Sequence, residues 1–445
     1  MNLDSENAVS ARNLKMLRSQ LQARANYTMN ILLINHYAGS PRHGMEYRPF
    51  YMSREWVRLG HHVTIIASSF SHVRTHQPSV NSWKTEEVLE GINYIWLKAP
   101  QYTGNGARRI LNMLVFVLQL LRLRGRIRRR EKPDVVIASS TYPLDIFPAF
   151  LLARGSKCRL VFEVHDLWPL SPMKLGGFSK WHPFIMAMQF AEDFAYRRAD
   201  TVVSMLPCAR PYMKSRGLDE QNFVYVPNGV LICDEEPTGV DSENPYVLAL
   251  RKLREEGRFL ILYAGAHGVA NALDSFLDAA QLLSDCPVTF VLIGQGPEKE
   301  NLQRKCASLN LSNVAFLSSI TRASIIEVLR EADVLYISLQ RNPLFRFGIS
   351  PNKLFDYMLA GRPIIQAIDA GNDIVGESGC GLTIAPEDPQ ALVCAIQHFM
   401  AMGEMERQSL GENGRSYVRS RHDYRKLAEL FPLAANSIRP LAFRG

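Results

Sequence analysis

Lys353 and Asp356 stand three residues apart in the stretch from Phe347 to Ile365, FGISPNKLFDYMLAGRPII, and offer a cation and a carboxylate to one surface. Ser350 reads as an N-cap, because its side chain accepts an orphan N–H, and Pro351 suits the first helical position because it has no N–H to leave unsatisfied. Leu354, Phe355, Met358 and Leu359 recur at helical spacing on an apolar face, and Gly361 followed by Pro363 stops the helix before Ile364 and Ile365. Asn352, Lys353 and Asp356 fall on the opposite side. The first turn then combines free backbone N–H groups, the positive end of the helix dipole and Lys353, with Asp356 alongside. A phosphate fits against the N–H groups and Lys353, while Asp356 accepts hydrogen bonds from sugar hydroxyls. The same residues also suit a plain capped helix with an i, i+3 ion pair.

A second cluster of titratable groups lies at Glu163-Val164-His165-Asp166, followed by Leu167-Trp168-Pro169. It ends an apolar run, where ligands bind in open α/β sheets. A carboxylate beside a histidine can hold its tautomer or take a proton from a hydroxyl; a buried histidine with Asp166 as a helix cap is the structural alternative. Three glycine turns add backbone that a phosphate can approach closely: Ala38 to Gly44, with Arg42 and His43 and then Arg48; Gly265 to Gly268; and Gly294 to Gly296. None is a G-x-G-x-x-G or a Walker A, so spacing alone leaves them ordinary α/β turns.

Strands must position these groups. Ile31–Asn35, His62–Ala67, Val135–Ala138, Leu160–Val164 and Thr201–Met205 are apolar runs separated by helical patterns, which predicts a parallel sheet. Phe259–Tyr263, Val288–Ile293, Val314–Leu317 and Val334–Ser338 repeat the scheme, so the architecture is duplicated: α/β, with two Rossmann-like domains. Phe184–Arg198, Ala391–Met400, Glu404–Tyr417 and Tyr424–Leu433 read as helices. Asn228-Gly229 is a strong turn. We place a flexible extension at 1–28, the first domain at 29–230, a linker with Pro237, Gly239 and Pro245 at 231–245, the second domain at 246–420, and a helix returning towards the first at 421–445. Met29 opens MNILLINH, which reads as a first strand, so residues 1–28 suggest an upstream start.

A chain of 445 residues with 47% hydrophobic and 21% charged residues fits two soluble domains. Seven scattered cysteines without a C-x-x-C argue against a disulfide framework or a zinc site and for a reducing cytosol. No apolar run of spanning length and no secretory-signal centre is expected. The net charge of +8 suits several anionic partners and selects none. Arg108–Lys132 is distinctive: an apolar body followed by Arg122, Arg124, Arg126, Arg128, Arg129 and Arg130. Such a helix can lie at an anionic lipid interface or can be a core helix with a solvated end. Aromatic residues that would stack on bases are not interleaved with the arginines, which argues against nucleic acid.

Asp356-Tyr357-Met358-Leu359-Ala360-Gly361-Arg362-Pro363 resembles the second half of the nucleotide-sugar signature of GT-B glycosyltransferases of the GT4 type, with aspartate for glutamate and Gly348 where the first glutamate would stand. Ser350 to Lys353 and the "HDLWP" run are similar to a WbuB-like subgroup. Val226 to Val230 resembles the signature that closes the first domain of this family, and Gly294-Gln295-Gly296-Pro297-Glu298 its turn near the nucleotide. The resemblance implies a GT-B fold with parallel sheets facing across a cleft, retention of anomeric configuration and no metal or other cofactor. Donor contacts then fall to Lys353, Asp356, Ser350, Asn352, Gly265, Gly268, Gly294 and Gly296. The arginine and lysine that relatives carry after Gly265 are missing, so Arg322 or Arg346 is expected to help Lys353. His165 takes the place against the donor sugar, Asp166 or Glu163 an acceptor-side role, and Arg42, His43 and Arg48 acceptor contacts. Expected partners are a nucleotide-sugar donor and a polyprenyl-diphosphate-linked acceptor, with the enzyme cytoplasmic and peripheral on the inner face of the cell membrane. The alternatives are a GT-B nucleotide-sugar epimerase and a non-catalytic membrane-surface binding protein.

Overall fold

The computed structural model describes residues 28–44, 47–104, 106–232, 244–320 and 322–433. The expected extension before residue 28, most of the 231–245 linker and the last part of the returning segment lie outside these residues. Two compact units emerge: the first comprises 1–203, 214–224 and 431–445, the second 204–213 and 225–430.

The first unit is built on strands β1 (Asn30–Ile34), β2 (His62–Ser68), β3 (Lys84–Leu89), β4 (Ile92–Leu97), β5 (Val135–Ala138), β6 (Arg159–Val164), β7 (Thr201–Ser204) and β8 (Phe223–Tyr225). They form one sheet in the order β3-β4-β2-β1-β5-β6-β7-β8. β1 and β2 bury their apolar residues on both faces, which is why each reads as a continuous run and not an alternation. The expectation of a wholly parallel sheet is corrected at one edge, where β3 pairs antiparallel with β4 through a two-residue turn at Glu90 and Gly91, both with positive φ. β3 escapes a reading by hydrophobicity because it is Lys-Thr-Glu-Glu-Val-Leu, a charged strand suited to an exposed edge.

In the second unit, β9 (Phe259–Ala264), β10 (Val288–Ile293), β11 (Val314–Leu317), β12 (Val334–Ser338), β13 (Ile364–Ala367) and β14 (Gly381–Ile384) form a parallel sheet in the order β11-β10-β9-β12-β13-β14. This is the doubly wound order with its topological switch between β9 and β12. Along β9, Leu260, Leu262 and Ala264 enter one core cluster while Ile261 and Tyr263 enter another, so each face of the sheet has its own core. The helix Asn352–Ala360 buries Leu354, Phe355, Tyr357 and Met358, and ends as expected at Gly361, whose φ of 73° is left-handed.

Its start corrects the sequence reading. Pro351 is the N-cap and no side chain caps the helix. Ser350 instead accepts the Asn228 N–H at 2.9 Å through its hydroxyl, and its carbonyl accepts Asn228 Nδ2 at 2.8 Å, so a long-range partner outcompetes the local one. Gly348 has φ 96°, and a Cβ there would meet Pro207 Cδ at 2.5 Å; this backbone has no room for the glutamate of the family pattern.

Tyr357 ties the helix to the sheet. Its hydroxyl accepts the Ala264 N–H at 2.7 Å and donates to the Ala264 carbonyl at 3.0 Å, at the end of β9. Tyr357→Phe removes both bonds and leaves buried backbone groups unpaired, so denaturant unfolding of the second unit is expected to show a loss of about 1–3 kcal/mol; an unchanged midpoint would mean that the bond carries no stability.

Candidate functional site

At the switch point of the second unit, the chain leaves β9 through Gly265-Ala266-His267-Gly268 and a short turn at Val269–Asn271. Lys353 reaches into this loop from the first turn of its helix. Its Nζ donates to Asn271 Oδ1 at 2.5 Å and to Tyr263 Oη at 3.0 Å, and sits 4.8 Å from the Tyr263 ring centroid. Tyr263 spends its own proton on the Ala266 carbonyl at 2.8 Å. Both acceptors are neutral, and among the described residues Lys353 has no carboxylate partner. Burial without a counter-charge pushes its pKa down to about 8. An ammonium has three N–H donors, so one remains for a ligand.

The glycines make this spot accessible. A Cβ on Gly265 would come within 3.4 Å of Lys353 Nζ, one on Gly294 within 2.0 Å of the Gly265 carbonyl, and one on Gly296 within 2.3 Å of the His267 carbonyl. The two turns are thus interlocked, with Gly265 N–H donating to Ile293 O, His267 N–H to Gln295 O and Glu298 N–H to His267 O. Gly268, in contrast, has only the Asn271 amide near it. His267 is fully buried, and among the described residues neither ring nitrogen has a hydrogen-bond partner. Burial, with Lys299 adding to it, lowers its pKa to about 4, so it is neutral. Lys299 itself donates to the Gly294 carbonyl at 3.0 Å.

Asp356 is partly buried one turn beyond Lys353, and Asn352 is exposed at the start of the helix. Arg346 is exposed, its guanidinium 4.7 Å from the Phe347 ring centroid. Arg322 opens the helix Arg322–Leu329, and its side chain lies outside the described residues. Tyr263, Asn271, His267 and Lys299 escaped the sequence reading. Only Lys299 left a signal, a basic residue just past a glycine turn.

The first unit gathers its own polar cluster at the ends of β1, β5 and β6, next to its switch point. Glu163 is buried and accepts Arg48 Nε on Oε1 at 3.0 Å and Ser139 Oγ on Oε2 at 2.6 Å, while His165 Nε2 lies 3.2 Å from the same Oε2 and 2.9 Å from Ser139 Oγ. Desolvation opposes ionisation of Glu163, but Arg48, His165 and Ser139 outweigh it and hold the carboxyl well below the usual range. Asp145 behaves oppositely: it is fully buried, its Oδ2 accepts the Ser140 N–H at 3.0 Å, and burial pushes its pKa up to about 7. Two carboxylates separated in this way suit different protonation roles.

The structure therefore joins Arg48, Glu163 and His165 but separates Asp166 from them. Asp166 Oδ1 accepts Leu167 N–H at 2.8 Å and Ser171 Oγ at 2.6 Å, and the helix Leu170–Leu175 starts at Pro169 with no side-chain cap, so Asp166 braces its own turn and does not cap the helix. His43 is buried between Ser40 Oγ at 2.9 Å and Glu87 at 3.4 Å, so it braces its own loop, and burial lowers its pKa. Arg42 is exposed. Ser139 and Asp145 were not legible in sequence.

Comparison with known proteins adds family evidence to this geometry. Residues 43–229 match the family described as "Glycosyl transferase 4-like domain" and residues 258–402 that described as "Glycosyl transferases group 1". The probable glycosyltransferase WbjE of Pseudomonas aeruginosa is 24% identical over 360 residues, 80% of this chain and 86% of the relative. The putative colanic acid biosynthesis glycosyl transferase WcaI of Escherichia coli K12 is 23% identical over 363 residues, 78% and 86% of the two chains. Among solved structures, Anabaena HepE in complex with UDP and glucose superposes with a TM-score of 0.60 at 16% identity, covering 90% of this chain and 97% of HepE. An α/β sheet in each of two units, parallel but for one edge strand in the first, together with two glycosyltransferase family matches that between them span well over half of the sequence, assigns the chain to the GT4-type glycosyltransferases of the GT-B fold.

Proposed function

We propose that the protein is a retaining transferase that moves a hexosyl or acetamidosugar group from a nucleotide-sugar donor to a lipid-linked or polysaccharide-precursor acceptor, in the synthesis of a bacterial surface glycan. The observation that carries this reading is Lys353: a desolvated ammonium held by neutral acceptors against a glycine turn is an incomplete ion pair, and a diphosphate completes it. HepE was solved with UDP and glucose, and WcaI is named for colanic acid biosynthesis; both support the choice of donor class and of product.

In this reading Asp356 grips the ribose hydroxyls, Asn352 and Ser350 shape the first turn beneath the donor, and the glycines at 265, 268, 294 and 296 admit the diphosphate. Arg322 adds positive charge. As the bond from the anomeric carbon to the leaving phosphate oxygen breaks, Lys353 and the backbone N–H groups stabilise the charge that develops there. The acceptor hydroxyl attacks on the same face, its oxygen bonds to the anomeric carbon, and its proton passes to the departing phosphate. His165, held by Glu163 and Ser139, contacts the transferred sugar; Arg42 and Arg48 assist the acceptor side.

Lys353→Ala is expected to lower kcat by about 10²–10³-fold, the usual loss when a charge-stabilising donor is removed. Asp356→Ala is expected to weaken donor binding by about 10–100-fold with a smaller effect on kcat. Wild-type rates in both variants would remove the site. Because Lys353 is protonated below about pH 8 and neutral above it, donor affinity should hold below that pH and fall as pH rises through it. A flat profile between pH 7 and 9.5, measured by calorimetry, would show that the ammonium does not bind the donor. Donor turnover without acceptor would favour the epimerase.

A further inference from the structure

The ring of His267 is fully buried between the two glycine turns of the second unit, and neither of its nitrogens has a hydrogen-bond partner among the described residues. Its backbone is fully engaged: the N–H donates to the Gln295 carbonyl and the carbonyl accepts the Glu298 N–H, both at 2.9 Å. The chain therefore holds the ring in place, and its own polar atoms do not. Aromatic neighbours close two sides, Tyr263 from β9 with ring centroids 6.1 Å apart and Phe316 from β11 at 6.4 Å. The charges that act on the ring are two lysines. Lys299 Nζ donates to the Gly294 and Leu317 carbonyls at 3.0 and 3.4 Å, and Lys353 Nζ to Tyr263 Oη and Asn271 Oδ1. Among the described residues neither lysine has a carboxylate partner, and Glu298, the acid adjoining Lys299 in the chain, accepts the Asn301 amide at 2.8 Å. A buried polar ring without partners is a cost that an apolar side chain would avoid.

We propose that His267 takes up a proton from solvent when a diphosphate ester occupies the two turns, so that donor binding adds a third positive charge beside the leaving phosphate. In the free protein burial and, after it, the two ammonium groups disfavour an imidazolium, which keeps the ring neutral and leaves one nitrogen free to accept a proton. The diphosphate of a nucleotide sugar is a dianion, and against Lys353 and the glycine backbone it replaces repulsion of the ring's charge by attraction. The proton moves from solvent to the free ring nitrogen, and no bond to the sugar forms or breaks in this step. A Cβ on Gly294 would lie 3.4 Å from His267 Nε2, so the ring stands against the wall of the turn and acts on the anion through it, as a positioning residue. The inference rests on the proposed donor site and adds to it the proton that the anion brings. Because the occupied ring binds a proton that the free ring does not, donor affinity rises as pH falls below the ordinary histidine value of 6.5, and the ring adds nothing well above it. The step that Lys353 gives near pH 8 is separate.

The full-length protein is titrated by calorimetry with UDP-glucose, GDP-mannose and dTDP-glucose at pH 6.0 and 7.0, each in two buffers of different ionisation enthalpy. These diphosphate diesters do not titrate in this range, and Lys353 is already protonated. A ring that moves from about 4 to its ordinary 6.5 on binding takes up about 0.7 proton per donor at pH 6.0, and affinity weakens about threefold at pH 7.0. His267→Gln is expected to abolish the uptake and level the affinity between the two pH values, a result that a purely structural ring would not give; His267→Asn serves if the glutamine variant does not fold. Binding of a donor by the wild type with the same heat in both buffers overturns the proposal and leaves the donor site standing, as does undiminished uptake in the folded variant. Failure of all three compounds to bind removes the donor site and this proposal with it.

Discussion

A partly buried, desolvated ammonium without a counter-ion among the described residues is the feature on which the second unit turns. Enclosing a charge costs several kcal/mol unless something compensates for it, and the protein supplies only a tyrosine oxygen and an amide oxygen to Lys353. A sequence selected for stability alone would place a carboxylate there or remove the lysine. The structure instead spends two helical and strand elements on holding that nitrogen in place: Tyr357 locks the helix to β9, and Asn271 is itself fixed by donating to the Ala266 carbonyl and by the Ser338 hydroxyl on its own carbonyl. In the proposed reading the residual electrostatic cost is recovered when the donor diphosphate binds, which is the condition for binding energy to appear at the reacting bond.

The glycines serve the same end through sterics. Gly294 and Gly296 cannot carry a Cβ without backbone collision, because the two turns at the ends of β9 and β10 lie against each other, and a Cβ on Gly265 would crowd the Tyr263 hydroxyl at 3.1 Å and Lys353 Nζ at 3.4 Å. Close interlocking leaves a bare backbone wall beside Lys353 where side chains would otherwise stand. His267 threads this wall, neutral and with its nitrogens unpaired among the described residues, and Lys299 closes its far side. The lysines beside this wall stand on the helix, at Lys353, and after the second turn, at Lys299.

The sequence carried the parts that follow from local pattern. Apolar runs on both sides of glycine turns yielded the duplicated sheets, and Gly361 with Pro363 marked the end of the key helix, because backbone chirality and ring closure are properties of single residues. Its beginning was misread at Ser350, since nothing local reveals that Asn228, far along the chain, claims the hydroxyl. β3 stayed hidden because an edge strand solvated on one side need not look apolar. Lys353 was legible as a cation near a helix start, but not as a buried one; its depth depends on Tyr263 and Asn271, which reach it only through the switch in strand order. In the first unit Glu163 and His165 were legible together, whereas the split that pushes the Asp145 pKa up to about 7 and keeps Glu163 ionised arises from burial and from Arg48, both tertiary.

The most direct test of this account compares the affinities of UDP, UMP and uridine for the wild type and for Lys353→Met by titration calorimetry at pH 7. If Lys353 is the diphosphate's counter-ion, the wild type prefers UDP over uridine strongly, and the methionine variant, which keeps the stem and loses the charge, loses most of that preference while binding uridine as before. An undiminished preference for UDP in the methionine variant would contradict the account.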